Sequence, residues 1–228
     1  MEQVMKFFTE AFEHMNEEQK ENFYKTVFLQ DDSEYAAELR VAYYKTKFKA
    51  MGENVKIGHG VKIVNPQYIS LGDNVSIEDN VTLIARGEGG ITLGNKTVLK
   101  DRVYLDSQTP TGYINIGSRV YIGTGTTLFG HKGLEIGDCC LFAQNITLTP
   151  YSHIYSDPDK VIWDQGGHCE KVTIGRDCYV GMGVCIMYSG NIGEGSVIGA
   201  GSTVVKPIPP YSVAVGHPAK VIKKRREE

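Results

Sequence analysis

The chain has 228 residues, 41% apolar and 22% charged, with 26 Gly against 8 Pro; that balance excludes fibrous and disordered classes and predicts one soluble globular domain, or one with a small extension. With 24 Lys and Arg against 27 Asp and Glu, the formal charge of -3 offers no chain-wide basic field to nucleic acid or an anionic membrane. No basic-then-apolar leader and no run of 18 apolar residues occurs, so secretion and membrane insertion are disfavoured and a cytoplasmic location is expected.

In chain order, residues 1–52 read as an N-terminal helical segment of two or three helices. Phe7, Phe8, Phe12 and Met15, then Phe23, Tyr24, Val27 and Phe28, recur at helical spacing, a stripe that predicts core or interface packing. Asn16 with Gln19, and Ser33, are candidate N-caps, and Gly52 is a candidate stop.

From Asn54 onward the chain repeats every six residues. Ile57, Ile63, Leu71, Ile77, Leu83, Leu93, Leu99, Leu105, Ile116, Ile122, Leu128, Ile136, Phe142, Leu148, Ile174, Val180, Ile186, Ile192, Ile198 and Val204 hold that phase, and nineteen of these twenty are Ile, Leu or Val. A Gly often follows, and a Val, Thr, Ser or Cys often stands two before. A six-residue step walks around a helix and builds no stripe; short strands joined by Gly-permitted bends do. The hexad predicts a mainly β parallel coil of three flat sides, stacked six or seven times over residues 53–214, with a basic tail at 215–228. Five Cys are an odd number without C-x-x-C spacing, which predicts reduced and mostly buried thiols.

The phase breaks at Ala85 to Gly90, Thr109 to Gly112 and Gly130 to Gly133, and most widely between Leu148 and Ile174. The last break predicts an excursion loop at about 150–170. It holds Trp163 and two of the six His, and long loops on rigid scaffolds are where function concentrates.

The stretches INIGSRVYIGTGTTL and IGRDCYVGMGVCIMYSGNIGEGSVIGAGSTVVKPIPPYSVAVGHPAKVIKK resemble the hexapeptide-repeat acetyltransferases over roughly residues 54–224. More narrowly they resemble the sugar O-acetyltransferase branch, with its maltose, galactoside, capsular and O-antigen acetyltransferases. The resemblance implies a left-handed parallel β-helix, a homotrimer, acetyl-CoA as donor substrate held in the cleft between neighbouring prisms, and no metal requirement. The family pattern N-[VI]-T-[LI], four residues, then the catalytic His matches Asn145-Ile146-Thr147-Leu148 and His153. Moving an acetyl group from a thioester to a hydroxyl needs a base that titrates near neutrality, which imidazole supplies.

The family's pantetheine contacts map onto Met182, Ala200 and the Val205-Lys206 step, with the Met182 amide as oxyanion donor. Tyr179 stands where the family commonly has Trp, and Val205 where it has Thr. Lys206, Lys223 and Lys224, with Lys220 and Arg225, are either a CoA-phosphate site or a solvated end. For the acceptor, His131, Tyr151, Asp157 and Trp163 are the candidates. Galactoside acetyltransferases place an Asn and an Asp where this chain has Gly123 and His131, so His131 is open between acceptor ligand and turn residue.

The function expected is therefore acetylation of a saccharide hydroxyl, in surface polysaccharide synthesis or on a small sugar. N-acetylation of an amino sugar, acetylation of a xenobiotic and a non-enzymatic β-helix scaffold are the alternatives. The related β-helix carbonic anhydrases bind zinc through three His with an H-x(4)-H pair, and the spacings of 131, 153 and 168 contain no such pair. No metal site, nucleic-acid partner or membrane insertion is expected.

Overall fold

The computed structural model of this chain describes residues 13–27 and 30–226. Helix α1 (Glu17–Val27) and helix α2 (Glu34–Lys45) precede a parallel coil of about seven turns. Asn16 and Gln19 cap α1 reciprocally, Gln19 N donating to Asn16 Oδ1 at 2.8 Å and Asn16 N to Gln19 Oε1 at 3.0 Å. That satisfies two helix-end amides at once. The Ser33 side chain accepts from Ala36 N at the start of α2. Phe7, Phe8, Phe12 and Phe28 of the expected stripe lie outside the described residues. Tyr24 and Tyr43 meet at 5.8 Å and Tyr44 stacks on Phe48 at 5.6 Å, so Tyr44 and Phe48 are buried against the first turn of the coil. Gly52 does not stop a helix: α2 ends at Lys45, Ala50–Met51 is already a strand of the coil, and a Cβ on Gly52 would collide with the backbone of Gly72 and Asp73.

Three parallel sheets form the walls. Ile57 pairs with Ile77, Ile77 with Leu99, Leu99 with Ile122, Ile122 with Phe142, Phe142 with Val180 and Val180 with Ile198 on one wall, and the other two repeat this ladder. Of the twenty phased residues, all are buried except Ile63, which is half-buried in the first turn. Burying each side chain of this size contributes roughly 1.5–3 kcal/mol, and no single turn can do it alone.

The residue two before each aliphatic also points inward, so every wall carries two inward positions. Where it is Thr, Ser or Cys, it bonds the next turn: Thr97 Oγ1 donates to Gly117 O at 2.8 Å, Ser196 Oγ to Pro209 O at 2.9 Å, and the Cys140 and Cys178 thiols to Gly175 O and Gly193 O at 3.1 and 3.2 Å. These buried polar atoms are therefore satisfied. Cys140 and Cys178 are buried as expected, whereas Cys139 and Cys169 are half-buried and Cys185 is exposed.

The Gly after the aliphatic is needed for close approach rather than for a bend. A Cβ on Gly94 would lie 2.6 Å from the Gly117 carbonyl carbon, and one on Gly175 2.4 Å from Glu194 N. The left-handed φ comes two residues later, at Asn74, Lys96, Arg119, Cys139, Asp177 and Gly195.

All surplus residues fall on one edge. Leu71, Ile77 and Leu83, like Leu93, Leu99 and Leu105, keep the six-residue step. Only the return from the third wall to the first varies, taking in 85–90, 107–113, 130–133 and 150–171. The phase slips that are scattered in sequence are thus stacked in space. The C-terminal residues continue the fold: Lys220–Lys224 pairs antiparallel with Ser212–Val215.

Replacing Leu128 by Ala should cost about 3 kcal/mol, since Leu128 has no solvent exposure and sits between Leu105 and Leu148. Denaturant titration checks this, with outward-facing Thr173→Ala expected within about 0.5 kcal/mol of wild type.

Candidate functional site

The widest excursion leaves that single edge as a β-hairpin. Tyr151–His153 pairs antiparallel with Gly167–Cys169, Tyr151 facing Cys169, Ser152 facing His168 and His153 facing Gly167. Its root is tied twice to the coil, Glu170 N donating to Pro150 O at 3.1 Å and Val172 N to Gly133 O at 3.0 Å. Lys171 adds a 2.7 Å ion pair with Glu135. Rings clamp the hairpin from both sides: Tyr151 stacks on His131 of the turn below at 5.1 Å, and His168 on Tyr188 of the turn above at 6.5 Å. Gly167 leaves room for the Tyr151 ring, which a Cβ there would overlap.

His153 is exposed and stands edge-on to Tyr151, with ring centroids 4.9 Å apart. His131 lies at 6.0 Å from Phe129, and Phe129 at 6.1 Å from Tyr104. Tyr104, Phe129, His131, Tyr151 and His153 therefore form a ladder of rings over three successive turns. Three of the predicted site residues, His131, Tyr151 and His153, are brought together.

His131 has a left-handed φ of 28°, and its carbonyl accepts from Thr109 Oγ1 at 2.8 Å. Its Nδ1 is sealed from solvent without a hydrogen-bond partner among the described residues. Burial lowers its pKa, the charge of Asp106 offsetting only part of that, so the neutral imidazole is favoured.

Below it lies a group that the hexad reading missed. Asp106 is fully buried and accepts from Arg86 Nε at 3.0 Å, Arg86 Nη2 at 2.7 Å, Gln108 N at 2.7 Å and Tyr104 OH at 3.1 Å. Burial works to raise this carboxyl, and the four donors hold it below its ordinary value. The available signal was positional: Asp106 occupies the register place of Ile84 and Phe129, a carboxylate where neighbouring turns have apolar residues.

Asp157 and Trp163 are not in this cluster. The Asp157 carboxylate closes the excursion's own turn, accepting from Asp159 N at 3.1 Å and pairing with Lys160 at 3.4 Å. Trp163, on the short helix Ile162–Gln165, is 86% exposed beside exposed Val161, Ile162 and Tyr155.

The donor candidates divide between edges. Met182 and Ala200 occupy the same turn position in consecutive coils between the second and third walls, and Gly201 N donates to Met182 O at 2.8 Å. The amides of Met182 and Ala200 donate to no acceptor among the described residues. Val205 and Lys206 follow the last strand of the third wall, on the His153 edge, and Lys223 and Lys224 lie exposed on the terminal strand. Within one chain, the Met182 turn and the hairpin root flank opposite edges of the third wall. Among the described residues, no three His, Cys, Asp or Glu are grouped to hold a metal ion.

The His131 arrangement carries a pH prediction. A folded-state pKa below the ordinary 6.5 means that the unfolded chain takes up a proton the folded one refuses, so stability is full above about pH 6.5 and declines as pH falls below it. Urea titrations at about pH 7.5 and pH 5 should show a smaller acid loss in His131→Phe than in wild type.

No protein-family model matches the chain. It is 36% identical over 121 residues to the galactoside O-acetyltransferase of Escherichia coli, covering 50% of this chain and 58% of that protein. With the dTDP-4-amino-4,6-dideoxy-D-glucose acyltransferase of Escherichia coli it shares 28% over 184 residues, 79% of this chain and 84% of that one. The chain spans little more than half the length of the first curated relatives it matches. Among solved structures, the polySia-specific acetyltransferase NeuO superposes with a TM-score of 0.64 at 26% identity, over 77% of this chain and 82% of that one. AntD, an N-acyltransferase from Bacillus cereus solved with dTDP and 3-hydroxybutyryl-CoA, superposes with a TM-score of 0.60 at 25% identity, over 82% and 88%. The coil has the left hand of these neighbours, the left-handed parallel β-helix. In fold and sequence the chain is similar to hexapeptide-repeat acetyltransferases, among them proteins named for sugar acceptors.

Proposed function

We propose that this protein transfers an acetyl group from acetyl-CoA to a saccharide hydroxyl, with His153 as general base. One observation carries the reading: the histidine that completes the N-I-T-L-x(4)-H spacing stands exposed on a clamped hairpin, against the His131–Tyr151 stack. The names of the relatives support it, since they include a galactoside O-acetyltransferase and a polySia-specific acetyltransferase, and AntD was solved with an acyl-CoA.

In the reaction, the His153 imidazole takes the proton of the acceptor hydroxyl as its oxygen attacks the thioester carbonyl carbon. The Met182 amide, which has no other acceptor among the described residues, donates to the oxyanion that forms. As the C–S bond breaks, the CoA thiolate leaves and recovers the proton from the imidazolium. Unused amides at Met182 and Ala200, one coil apart, suit an amide-rich pantetheine arm, with Val205 and Lys206 further along it and Lys206, Lys223 and Lys224 toward the CoA phosphates. A cytoplasmic location, where acyl-CoA is made, and a role in polysaccharide synthesis fit this reading.

A second reading, N-acetylation of an amino sugar, is favoured by the likeness to AntD and to the dTDP-amino-sugar acyltransferase. A primary amine also needs a base during attack, so the same His153 serves.

Two features support assembly as a homotrimer. His153 and the Met182 amide leave one chain at opposite edges of a wall, so a neighbouring prism brings the complementary half. The second wall also presents an outward apolar ladder, Val98, Tyr121, Leu141, Tyr179, Val197 and Val213 in register, with Leu141 and Tyr179 exposed. Contiguous apolar surface of this kind marks an interface.

His153→Ala should lower kcat by about 10²-fold or more at nearly unchanged CoA affinity, read by thiol release over panels of sugars and amino sugars. Wild-type turnover in that variant would sink the assignment. Light scattering should report three chains per particle, and dilution should abolish turnover before β-structure is lost; a fully active monomer would contradict the shared site.

A further inference from the structure

The ring ladder does not end at the reacting centre. It continues down the same edge to Arg86, three turns below the hairpin, and Arg86 is held as a ligand-binding arginine is held. Its fork is fixed by the buried Asp106 through Nε and Nη2, leaving Nη1 with no acceptor among the described residues and the side chain 46% exposed. Tyr104 OH and Gln108 N complete the carboxylate's bonds, so Asp106 has no remaining role in chemistry and acts as a positioning residue for the guanidinium. An ion pair with one partner buried adds little net stability, because desolvating the Asp106 carboxylate offsets much of the attraction. What it adds is a rigid planar donor set suited to carboxylate or phosphate.

A second observation at the same edge points to a ligand. Between Arg86 and His153, the Nδ1 of His131 is sealed from solvent without a partner among the described residues, so it is the exposed ring faces of this stretch, not that nitrogen, that a ligand can reach. Around it the partly exposed rings of Tyr104, Phe129 and Tyr151 offer apolar faces of the kind on which the C–H face of a sugar ring packs.

We infer that the acceptor is anionic and extended: the edge of stacked corner loops is its binding track, and Arg86 takes a carboxylate or phosphate group carried well away from the acetylated hydroxyl. With neighbouring strands 4.7–4.9 Å apart, the three turns from Arg86 to His153 span roughly 14 Å, longer than one sugar ring. The inference rests on the sugar-acetylation reading for what happens at His153, but the anion site stands on its own geometry.

The test measures both turnover and equilibrium binding for three acceptor types: a neutral oligosaccharide, an oligosaccharide bearing carboxylates, and a sugar linked to a nucleoside diphosphate. Wild type should bind at least one anionic type with a KM and Kd about 10-fold or more below the neutral one, and added salt should erode that advantage. Arg86→Gln should raise KM and Kd for that acceptor about 10-fold or more at nearly unchanged kcat, leaving the neutral acceptor unaffected, and Arg86→Lys should restore part of the loss. Because Arg86→Gln strands a buried carboxylate, the double variant Arg86→Gln/Asp106→Asn removes both charges together and should show the same selective loss with a cooperative melt. Preference for the carboxylate chain identifies an acidic saccharide, and preference for the nucleotide sugar identifies a diphosphate. Equal handling of neutral and anionic acceptors, or a preference indifferent to Arg86, overturns the inference while leaving acetyl transfer intact. Absence of thiol release with every acceptor overturns the acetyl-transfer reading, and calorimetry then still decides the anion site.

Discussion

Everything in this protein depends on keeping the inward aliphatics of one turn directly over those of the next. A parallel coil has no other core: Leu83 is buried only because Leu105 lies beside it in the ladder, and Leu105 only because Leu128 does. Side chains in such a column pack at crystal-like density, so the walls tolerate neither insertion nor deletion. Extra residues are absorbed where the chain is not yet committed to a ladder, and here that is one corner out of three. The closeness of the turns enforces the same rule at Gly94 and Gly175, where the neighbouring backbone occupies the place of a Cβ.

Concentrating the surplus on one edge is what assembles the candidate site. The corner loops 85–90, 107–113 and 130–133 and the hairpin are far apart in sequence, yet they stack at the spacing of strands in a sheet. Each turn contributes one or two groups to a common edge: Arg86, then Tyr104 above the buried Asp106, then Phe129 and His131, then Tyr151 and His153. Rigid walls hold this surface without help from the loops themselves, which fits the general requirement that reacting groups be held by packed, hydrogen-bonded neighbours. Ring stacking on His131 and Tyr188 fixes the root of the hairpin, while its tip leaves Trp163 and Tyr155 to solvent in a single chain.

Electrostatics along this edge is graded by burial. Asp106 is buried and kept ionised by four donors, His131 is half-buried and pushed toward neutrality, and His153 is exposed. The two histidines thus occupy different environments within one aromatic stack, one sealed at Nδ1 and the other open to solvent.

By itself, the sequence determined the coil, its three-sided repeat and the excursion, because the six-residue period follows from strand length and a column of identical contacts leaves an unbroken mark on the chain. It also marked the N-caps at Asn16 and Ser33, which are local patterns, and the N-I-T-L spacing made His153 a candidate. The breaks after every third phased residue, at Leu83, Leu105, Leu128 and Leu148, imply a single corner, but the sequence did not show which side chains meet there, and it misplaced Gly52 as a helix stop because close approach to Gly72 is a contact across twenty residues. Only the tertiary structure brought Arg86 and Asp106 to the foot of the ring ladder, joined His131 to Tyr151, and set Asp157 and Trp163 apart in the loop. The first two outcomes rest on contacts between successive turns, whose separation along the chain is set by the insertions, and the third on the excursion's own turn, where Asp157 accepts from Asp159 N and pairs with Lys160.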